Sequence, residues 1–173
     1  MRADESMEYH LARLLILLSS FGAPGSKGLD GLTKLAKLDF LLRYPSFTDR
    51  LLSLRNASWP LGCEPTDDEL EAVESQSIRY KYGPWDNRYY PLLGRLVGYG
   101  LAETVKGRET VAIRLTSKGA ALADQLARSE EWQVTAGRSE MLSSKFNLQG
   151  TRLRKMIYES LPEATETSSL GGI

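Results

Sequence analysis

Two short strand-like segments with a Gly-Arg turn between them are the feature that most constrains the fold of this chain. Residues 101–106 are strand-like, and residues 110–115 alternate polar and apolar side chains after Gly107 and Arg108. Such segments on both sides of a short glycine turn predict an antiparallel β-hairpin. Thr116 follows directly, and we predict that it is the N-cap of another helix. Because the chain has 173 residues, it is long enough to bury a core within about one domain.

Helical periodicity covers most of the remaining chain. Over residues 5–21, leucines recur three and four positions apart, which is the spacing of one helix face, and Gly22 ends the pattern. Asp30 predicts the N-cap of a second helix that ends before Pro45, and Ser46 predicts the cap of a short continuation to residue 54. The same reasoning predicts helices from Asp86 to residue 97, from 117 to 126, over 139–146 and over 151–161.

A weakly patterned, acidic segment divides the two halves of the chain. Over residues 56–77 the periodicity fades, and Thr66 and Glu69 form a capping-box pattern that predicts a short acidic helix. The segment from Ile78 to Tyr82 then alternates and predicts a half-exposed strand. We interpret residues 56–77 as an insertion within one domain.

The order of these elements is helix, helix, strand, helix and then hairpin, which is the order of a winged-helix domain. A glycine ends the helix before the hairpin, and Gly119, three residues after Thr116, permits close packing. We therefore predict a mainly α chain with a small antiparallel β-sheet (α+β), a winged helix-turn-helix with additional C-terminal helices. The predicted units are a winged-helix domain over 1–128 with the acidic insertion at about 56–77, a helical extension over 129–162 and a flexible tail over 163–173.

Composition excludes several classes of protein. The hydrophobic share of 42% and the charged share of 25% are those of a globular chain, which excludes a wholly disordered or fibrous one. The most apolar stretch, Leu14 to Leu18, is too short for a membrane span or a signal peptide. Because Cys63 is the single cysteine, no internal disulfide is possible, and we expect a cytoplasmic protein.

The sequence contains no familiar catalytic motif. No GxxxxGK[ST] phosphate loop, HExxH, CxxC or GxSxG pattern occurs. With one histidine and one cysteine, a zinc site would need at least two carboxylate ligands, which is unusual. His10 and Cys63 could pair as base and nucleophile, but no oxyanion feature lies near either, and a chance occurrence is the simpler interpretation. The sequence therefore predicts a protein that is not an enzyme and that uses no cofactor or metal.

The charges are segregated although their sum is zero. Residues 64–76 contain six acids and no base, whereas residues 79–118 contain eight bases and three acids. A basic block beside an acidic one is consistent with a nucleic-acid footprint and a repelling neighbour. Two solvated surfaces that balance each other are the alternative, and charge alone favours that alternative.

Two longer stretches resemble a known family. The stretches from Gly31 to Pro45 and from Arg79 to Tyr90 are similar to the winged-helix middle component of Lamassu-like conflict systems, and the resemblance covers roughly residues 8–128. In these three-component systems the middle protein accompanies an SMC-like ABC ATPase and an effector. The resemblance implies a non-catalytic accessory subunit of a bacterial antiphage defence complex, which binds the ATPase and the effector protein.

The helix before the hairpin and the loop that leads into it supply the candidate partner-binding residues. In a DNA-reading winged helix this helix presents several polar side chains to base edges, whereas here tyrosines and leucines dominate. Arginine, tyrosine and tryptophan are enriched in protein interfaces. We therefore predict that a partner protein is bound by Trp85, Arg88, Tyr89 and Arg95. A role in filling the core is the alternative for Tyr89 and for Tyr90.

The turn of the hairpin supplies the candidate DNA contacts. Lys106 and Arg108 are placed to contact phosphates, although Glu109 beside them dilutes their charge and favours a plain solvated turn. Two functions therefore compete: an adaptor subunit with weak, non-specific DNA contact, and a DNA-binding winged-helix transcriptional regulator. In either case the basic, amphipathic helix over 151–161 is a candidate element for docking or for a homo-oligomer, and it could equally cap its own domain.

Overall fold

The protein folds into helices that surround one small sheet. The computed structural model describes residues 6–71, 89–108 and 110–160. The helices among these residues are α1 (Met7–Phe21), α2 (Leu32–Arg43), α3 (Pro45–Leu54), α4 (Asp67–Glu71), α5 (Tyr89–Gly98), α6 (Ser117–Ala127), α7 (Gln133–Lys145) and α8 (Gly150–Ser160), and the strands are β1 (Leu29–Asp30), β2 (Ala102–Lys106) and β3 (Val111–Leu115). The predicted fold class, mainly α with a small antiparallel sheet, is confirmed.

The sheet has the strand order β1-β3-β2, and both of its pairings are antiparallel. The hairpin of β2 and β3 pairs Ala102 with Leu115 at its base and Lys106 with Val111 beside the turn. The Thr116 hydroxyl caps α6 and accepts a hydrogen bond from the backbone amide three residues later at 3.1 Å. The hairpin and the cap of the following helix therefore match the prediction.

The strand β1 was not predicted from the sequence. It pairs with β3 through Leu29 and Asp30, so Asp30 is a strand residue and the expectation that it caps α2 is wrong. Gly31, with a φ of 100°, occupies the N-cap position instead. Two residues are too few for a period-two pattern to be recognised. The predicted strand over 78–82 lies outside the described residues.

Two helices begin at positions that differ from the prediction. α3 begins at Pro45, since a missing N–H is tolerated in the first turn of a helix. Ser46 therefore lies inside α3 and does not cap it. α7 begins at Gln133, earlier than the predicted residue 139, because polar residues and Gly137 interrupt the apolar spacing of its first turns.

One hydrophobic core connects the sheet, the N-terminal helices and the C-terminal helices. α1 packs against α6 and α7, and α8 packs against α2. Phe146, Leu153 and Ile157 are completely buried in this core. The described residues after 128 therefore share a core with the rest of the chain, and the apolar stripe of α8 is covered by the chain itself. The predicted tail over 163–173 lies outside the described residues.

Candidate functional site

α5 leads into the hairpin and has one buried and one exposed face. Its buried side chains are Tyr89, Leu92 and Leu96, on the helix that contacts α1 and β2. Tyr90, on the other face, is 61% exposed. The exposed side chains of α5 and the residue that follows it also include Arg95, Val97 and Tyr99. This face therefore combines aromatic and apolar groups with one base.

A buried ionic network holds the N-terminal end of α5. The Arg13 guanidinium donates to both carboxylate oxygens of Asp39, with distances of 2.7 Å from Nε to Oδ1 and 3.0 Å from Nη2 to Oδ2. The Tyr89 hydroxyl donates to Oδ2 of the same carboxylate. Because Arg13 lies on α1 and Asp39 on α2, the network ties the start of α5 to both helices.

The network keeps Asp39 charged and Tyr89 neutral. Burial by itself raises the pKa of Asp39. The charge and hydrogen bond of Arg13 act against burial, Arg43 and Tyr89 add to this effect, and the pKa of the carboxyl is held below its ordinary value of 3.8. Burial raises the pKa of Tyr89 well above 10.0, and the Asp39 charge raises it further. At neutral pH the hydroxyl is therefore a donor and the carboxylate is its acceptor.

Of the predicted partner-binding residues, Trp85 and Arg88 lie outside the described residues, as does the predicted helix cap Asp86. Tyr89 is described, and it is only 3% exposed, because its hydroxyl reaches the buried Asp39 carboxylate. The core alternative therefore applies to Tyr89, and in this conformation its side chain is not available to a partner protein.

The other predicted site residues are exposed but do not all lie together. Arg95 is exposed on α5, and Lys106 and Arg108 are exposed at the turn of the hairpin. A groove of about 620 Å³ opens between α5, the hairpin and the first turns of α2 and α8. Among the three bases, Arg108 lines this groove. Of Lys106 and Arg108, which the sequence predicted as a pair of DNA contacts, Arg108 therefore lines the groove and Lys106 does not.

The groove beside the hairpin has a mixed apolar and basic lining. Its apolar side chains include Leu32, Leu93 and Val111. The charged side chains that line it are Lys34, Arg108, Arg154 and Asp30. Sequence reasoning missed Lys34 and Arg154 as members of one site, because α8 reaches α2 only through tertiary packing. We call this surface the basic groove.

The acidic insertion is held by an arginine that sequence reasoning also missed. Arg138 on α7 pairs with Glu69, with distances of 2.6 Å from Nη1 to Oε2 and 3.2 Å from Nη2 to Oε1. Its Nε donates to the Cys63 carbonyl oxygen at 2.9 Å, and its guanidinium lies 5.3 Å from the centre of the Trp59 ring. Glu69 also forms the predicted capping box with Thr66. The described part of the insertion, residues 56–71, is therefore held against α7.

His10 and Cys63 each have contacts of their own. His10 Nδ1 lies 3.0 Å from Nη2 of Arg13, within α1. Cys63 is buried beside α7, where its sulfur is the atom that a side chain on Gly137 would meet. Burial raises the pKa of the Cys63 thiol, and a raised pKa disfavours the thiolate that a nucleophile requires. The surroundings of Cys63 are those of a packing residue.

Lys37 is another buried charged residue, and it lies on α2, which packs against α8. The residue is 2% exposed, and its ammonium nitrogen lies 5.5 Å from the centre of the Tyr158 ring. Burial, with a smaller contribution from Arg154, lowers the pKa of Lys37 to about 8. At neutral pH the charged form of Lys37 is therefore less stable in the contact between α2 and α8 than it would be in water.

We expect Lys37→Met to raise the free energy of unfolding at neutral pH by about 1–2 kcal/mol, because burial disfavours the charged ammonium and methionine fills a similar volume without a charge. The pKa of Lys37 is about 8 in the folded protein and 10.5 ordinarily. Between these two pH values the unfolded chain binds more protons than the folded protein, so the stability of the wild type rises with pH over that range. The advantage of methionine should therefore shrink towards about pH 10. Urea unfolding of both proteins at neutral pH and at about pH 10 measures this difference in stability.

The exposed Lys155 supplies the control for this experiment. Its side chain is 75% exposed, so Lys155→Met should change stability little at either pH. An advantage of Lys37→Met that is the same at neutral and alkaline pH would contradict a charge-based cost at Lys37.

The described residues were also compared with the requirements of a metal site and of a membrane-spanning helix. Within residues 6–71, 89–108 and 110–160, no group of three or more His, Cys, Asp or Glu side chains is placed to hold a metal ion. None of the helices that the structure describes is long and apolar enough to cross a bilayer. Comparison of the chain with protein-family models, with curated proteins and with solved structures finds no match.

Proposed function

We propose that the protein is a non-catalytic winged-helix subunit that binds other proteins, and that it bridges an SMC-like ABC ATPase and an effector in a bacterial antiphage complex. The single observation that carries the protein-binding role is the exposed surface of α5 and of the residue that follows it, where Tyr90, Val97 and Tyr99 accompany Arg95. The identity of the partners rests on the resemblance to the middle component of Lamassu-like systems.

The composition of this face favours a protein partner over the reading of bases. A helix that reads the major groove needs several polar side chains that reach donor and acceptor groups on base edges. Within its described residues, Tyr89–Gly98, α5 exposes one arginine, Arg95, and contains no Asn, Gln or Lys. Aromatic and arginine side chains are instead enriched where protein interfaces are most buried.

The buried network supports this role because it fixes α5 before any partner arrives. The hydrogen bond from Tyr89 to Asp39 holds the first residue of the helix. The helix leads directly into the hairpin, which packs on the same core. A surface that is already ordered loses little conformational entropy when it binds, and more of the contact energy then contributes to affinity.

A DNA-binding regulator is the second candidate function, and the exposed bases Lys106 and Arg108 favour it. Contacts from these two bases to phosphates would position the protein without reading sequence, and their strength would fall with salt. Fluorescence anisotropy with unrelated duplexes separates the candidates. The adaptor should bind all duplexes weakly and alike, whereas a preference of about a thousandfold for one duplex would support the regulator.

Coexpression with the SMC-like ATPase that the proposal expects to be encoded beside this protein tests the main proposal. We expect Arg95→Ala and Tyr99→Ala each to weaken ATPase binding by about thirtyfold, since loss of an aromatic or arginine anchor from an interface costs about 2 kcal/mol. Leu61→Ala is the matched control, because Leu61 is 97% exposed on the loop before α4. Affinity of each purified variant for the ATPase is the measurement.

The variants should remain folded, because Arg95 and Tyr99 are both exposed. Their circular dichroism spectra and melting temperatures should match those of the wild type. Full ATPase binding by both variants, or an equal loss in Leu61→Ala, would contradict the proposal. A gene neighbourhood that encodes no SMC-like ATPase would also count against it.

A further inference from the structure

The basic groove leaves its positive charges available to a ligand. The Lys34 ammonium donates to the neutral side-chain oxygen of Asn147 at 2.7 Å. The Arg154 guanidinium lies 5.3 Å from the centre of the Tyr158 ring, over an aromatic face. No carboxylate in the described part of the chain forms an ion pair with Lys34, Arg108 or Arg154. These three bases therefore keep charge that a bound acid would neutralise.

Two helix ends add to the positive potential of the groove. The first turns of α2 and α8 both line it, and the backbone amides of a first helical turn carry partial positive charge. Gly31, the N-cap of α2, has no side chain that could accept from these amides. Asp30 is the one acid among the described lining residues, whereas Lys34, Arg108 and Arg154 are basic, so the described lining has a net positive charge.

We infer that the basic groove binds an acidic polypeptide segment of a partner protein, one that carries apolar side chains among its carboxylates. This inference rests on the proposed function and specifies the kind of segment that the partner supplies. Carboxylates would pair with Lys34, Arg108 and Arg154, the two arginines being able to bind them through two parallel hydrogen bonds. Apolar side chains would cover Leu93 and Val111.

The size of the groove agrees with such an occupant. A volume of about 620 Å³ lies within the range of clefts that hold a drug-sized ligand, so it has room for a few side chains of a bound segment. Leu32 and Leu93 remain half-buried, and Val111 is exposed beside them. A segment that supplies only charge would leave this apolar surface in water.

A nucleic-acid strand matches the groove less well. Phosphates would use the bases but would not cover Leu93 and Val111. Lys106 is exposed on the same hairpin as Arg108, yet it is not among the residues that line the groove. A phosphate strand along the hairpin would use both bases, whereas a segment in the groove would use Arg108 alone. This pair therefore distinguishes the two kinds of ligand.

Panning of short random peptides on the purified full-length protein tests the inference. We expect the selected peptides to be enriched in Asp, Glu and large apolar residues. A selected peptide should bind Arg108→Glu about tenfold more weakly than the wild type, because the reversed charge repels its carboxylates. Lys106→Glu is the matched control: the same charge change on the same hairpin should alter peptide affinity by less than about twofold.

Several results would overturn the inference. Selected peptides that are not acidic, or equal losses of affinity in Arg108→Glu and Lys106→Glu, would each exclude an acidic segment in the groove. A wild-type dimer, seen by sedimentation, that Arg108→Glu dissociates would assign the groove to a second copy of this chain.

The inference and the proposed function can fail separately. If Arg108→Glu binds the coexpressed ATPase and the effector with wild-type affinity, the groove does not receive these partners, and the role of the α5 face stands. If the Arg95 and Tyr99 variants bind the ATPase normally while acidic peptides still require Arg108, the proposed role of α5 fails and the chemistry of the groove stands.

Discussion

Asp39→Ala should lower the free energy of unfolding by about 3–5 kcal/mol, because it removes the carboxylate that pairs a buried arginine. In the folded protein, Arg13 and the Tyr89 hydroxyl both donate to Asp39. Asp39 and Arg13 are both buried, so bulk water cannot replace the lost acceptor. The variant therefore leaves a buried guanidinium without its counter-charge. Chemical denaturation followed by circular dichroism measures the change.

Two further variants show whether the effect comes from the network. Tyr89→Phe removes one donor and should cost about 1–2 kcal/mol. Asp124→Ala removes a carboxylate that is 61% exposed and paired with Arg128, and it should cost less than about 1 kcal/mol. Equal losses for Asp39→Ala and Asp124→Ala would contradict the structural role of the network.

The same carboxylate predicts how stability responds to acid. The folded-state pKa of Asp39 lies below the ordinary 3.8, so the contribution of the ionised carboxylate is fully present above that ordinary value and is lost as the pH falls through the folded-state pKa. The difference between wild type and Asp39→Ala should therefore narrow below about pH 4. A constant difference from neutral to acidic pH would assign the effect to packing alone.

Elements whose signals are local could be predicted from the sequence. The hairpin depends on alternation and a glycine turn within one short stretch, and the cap of α6 depends on Thr116 and the amide three residues later. The capping box of Thr66 with Glu69 is equally local. In each case the residues that make the contact are also neighbours in sequence, so the sequence pattern is sufficient to predict the contact.

Contacts between distant segments could not be predicted. Tyr89 and its acceptor Asp39 are 50 residues apart, and the composition of α5 alone is compatible with a tyrosine in the core or at an interface. Arg138 and Glu69 are 69 residues apart. The available signal was a charged residue at an apolar position, as with Arg13 among the leucines of α1. Such a residue indicates that a buried partner exists but not where it lies.

The candidate site was predicted in part for the same reason. Arg108 lies on the hairpin, whose position follows from local patterning. Lys34 and Arg154 join it only because α8 packs against α2 and brings its first turn to the hairpin. Sequence reasoning therefore identified the basic charge at the turn of the hairpin, whereas the groove that Arg108 lines depends on tertiary packing.

Gly119→Ala should lower the free energy of unfolding by about 3 kcal/mol, although alanine is the better helix former. A Cβ atom at this position, in the first turn of α6, would collide with the carbonyl group of Leu101. The oxygen of that carbonyl accepts a hydrogen bond from the Thr116 amide at 3.1 Å. The carbonyl therefore cannot move away without loss of the contact that joins the start of the hairpin to its end.

Gly94→Ala is the matched control, because the same methyl group on α5 meets no atom of the described residues within 4 Å. There the substitution should raise the free energy of unfolding by up to about 1 kcal/mol, through helix propensity alone. The same substitution should thus lower the free energy of unfolding at Gly119 and raise it at Gly94, because Gly119 lies against the backbone of Leu101 and Gly94 does not. Thermal or urea unfolding measures both changes. If Gly119→Ala is instead as stable as Gly94→Ala, α6 does not approach Leu101 this closely in solution. The orientation of the hairpin would then be set by the pairing of β3 with β1 and not by the contact at Gly119.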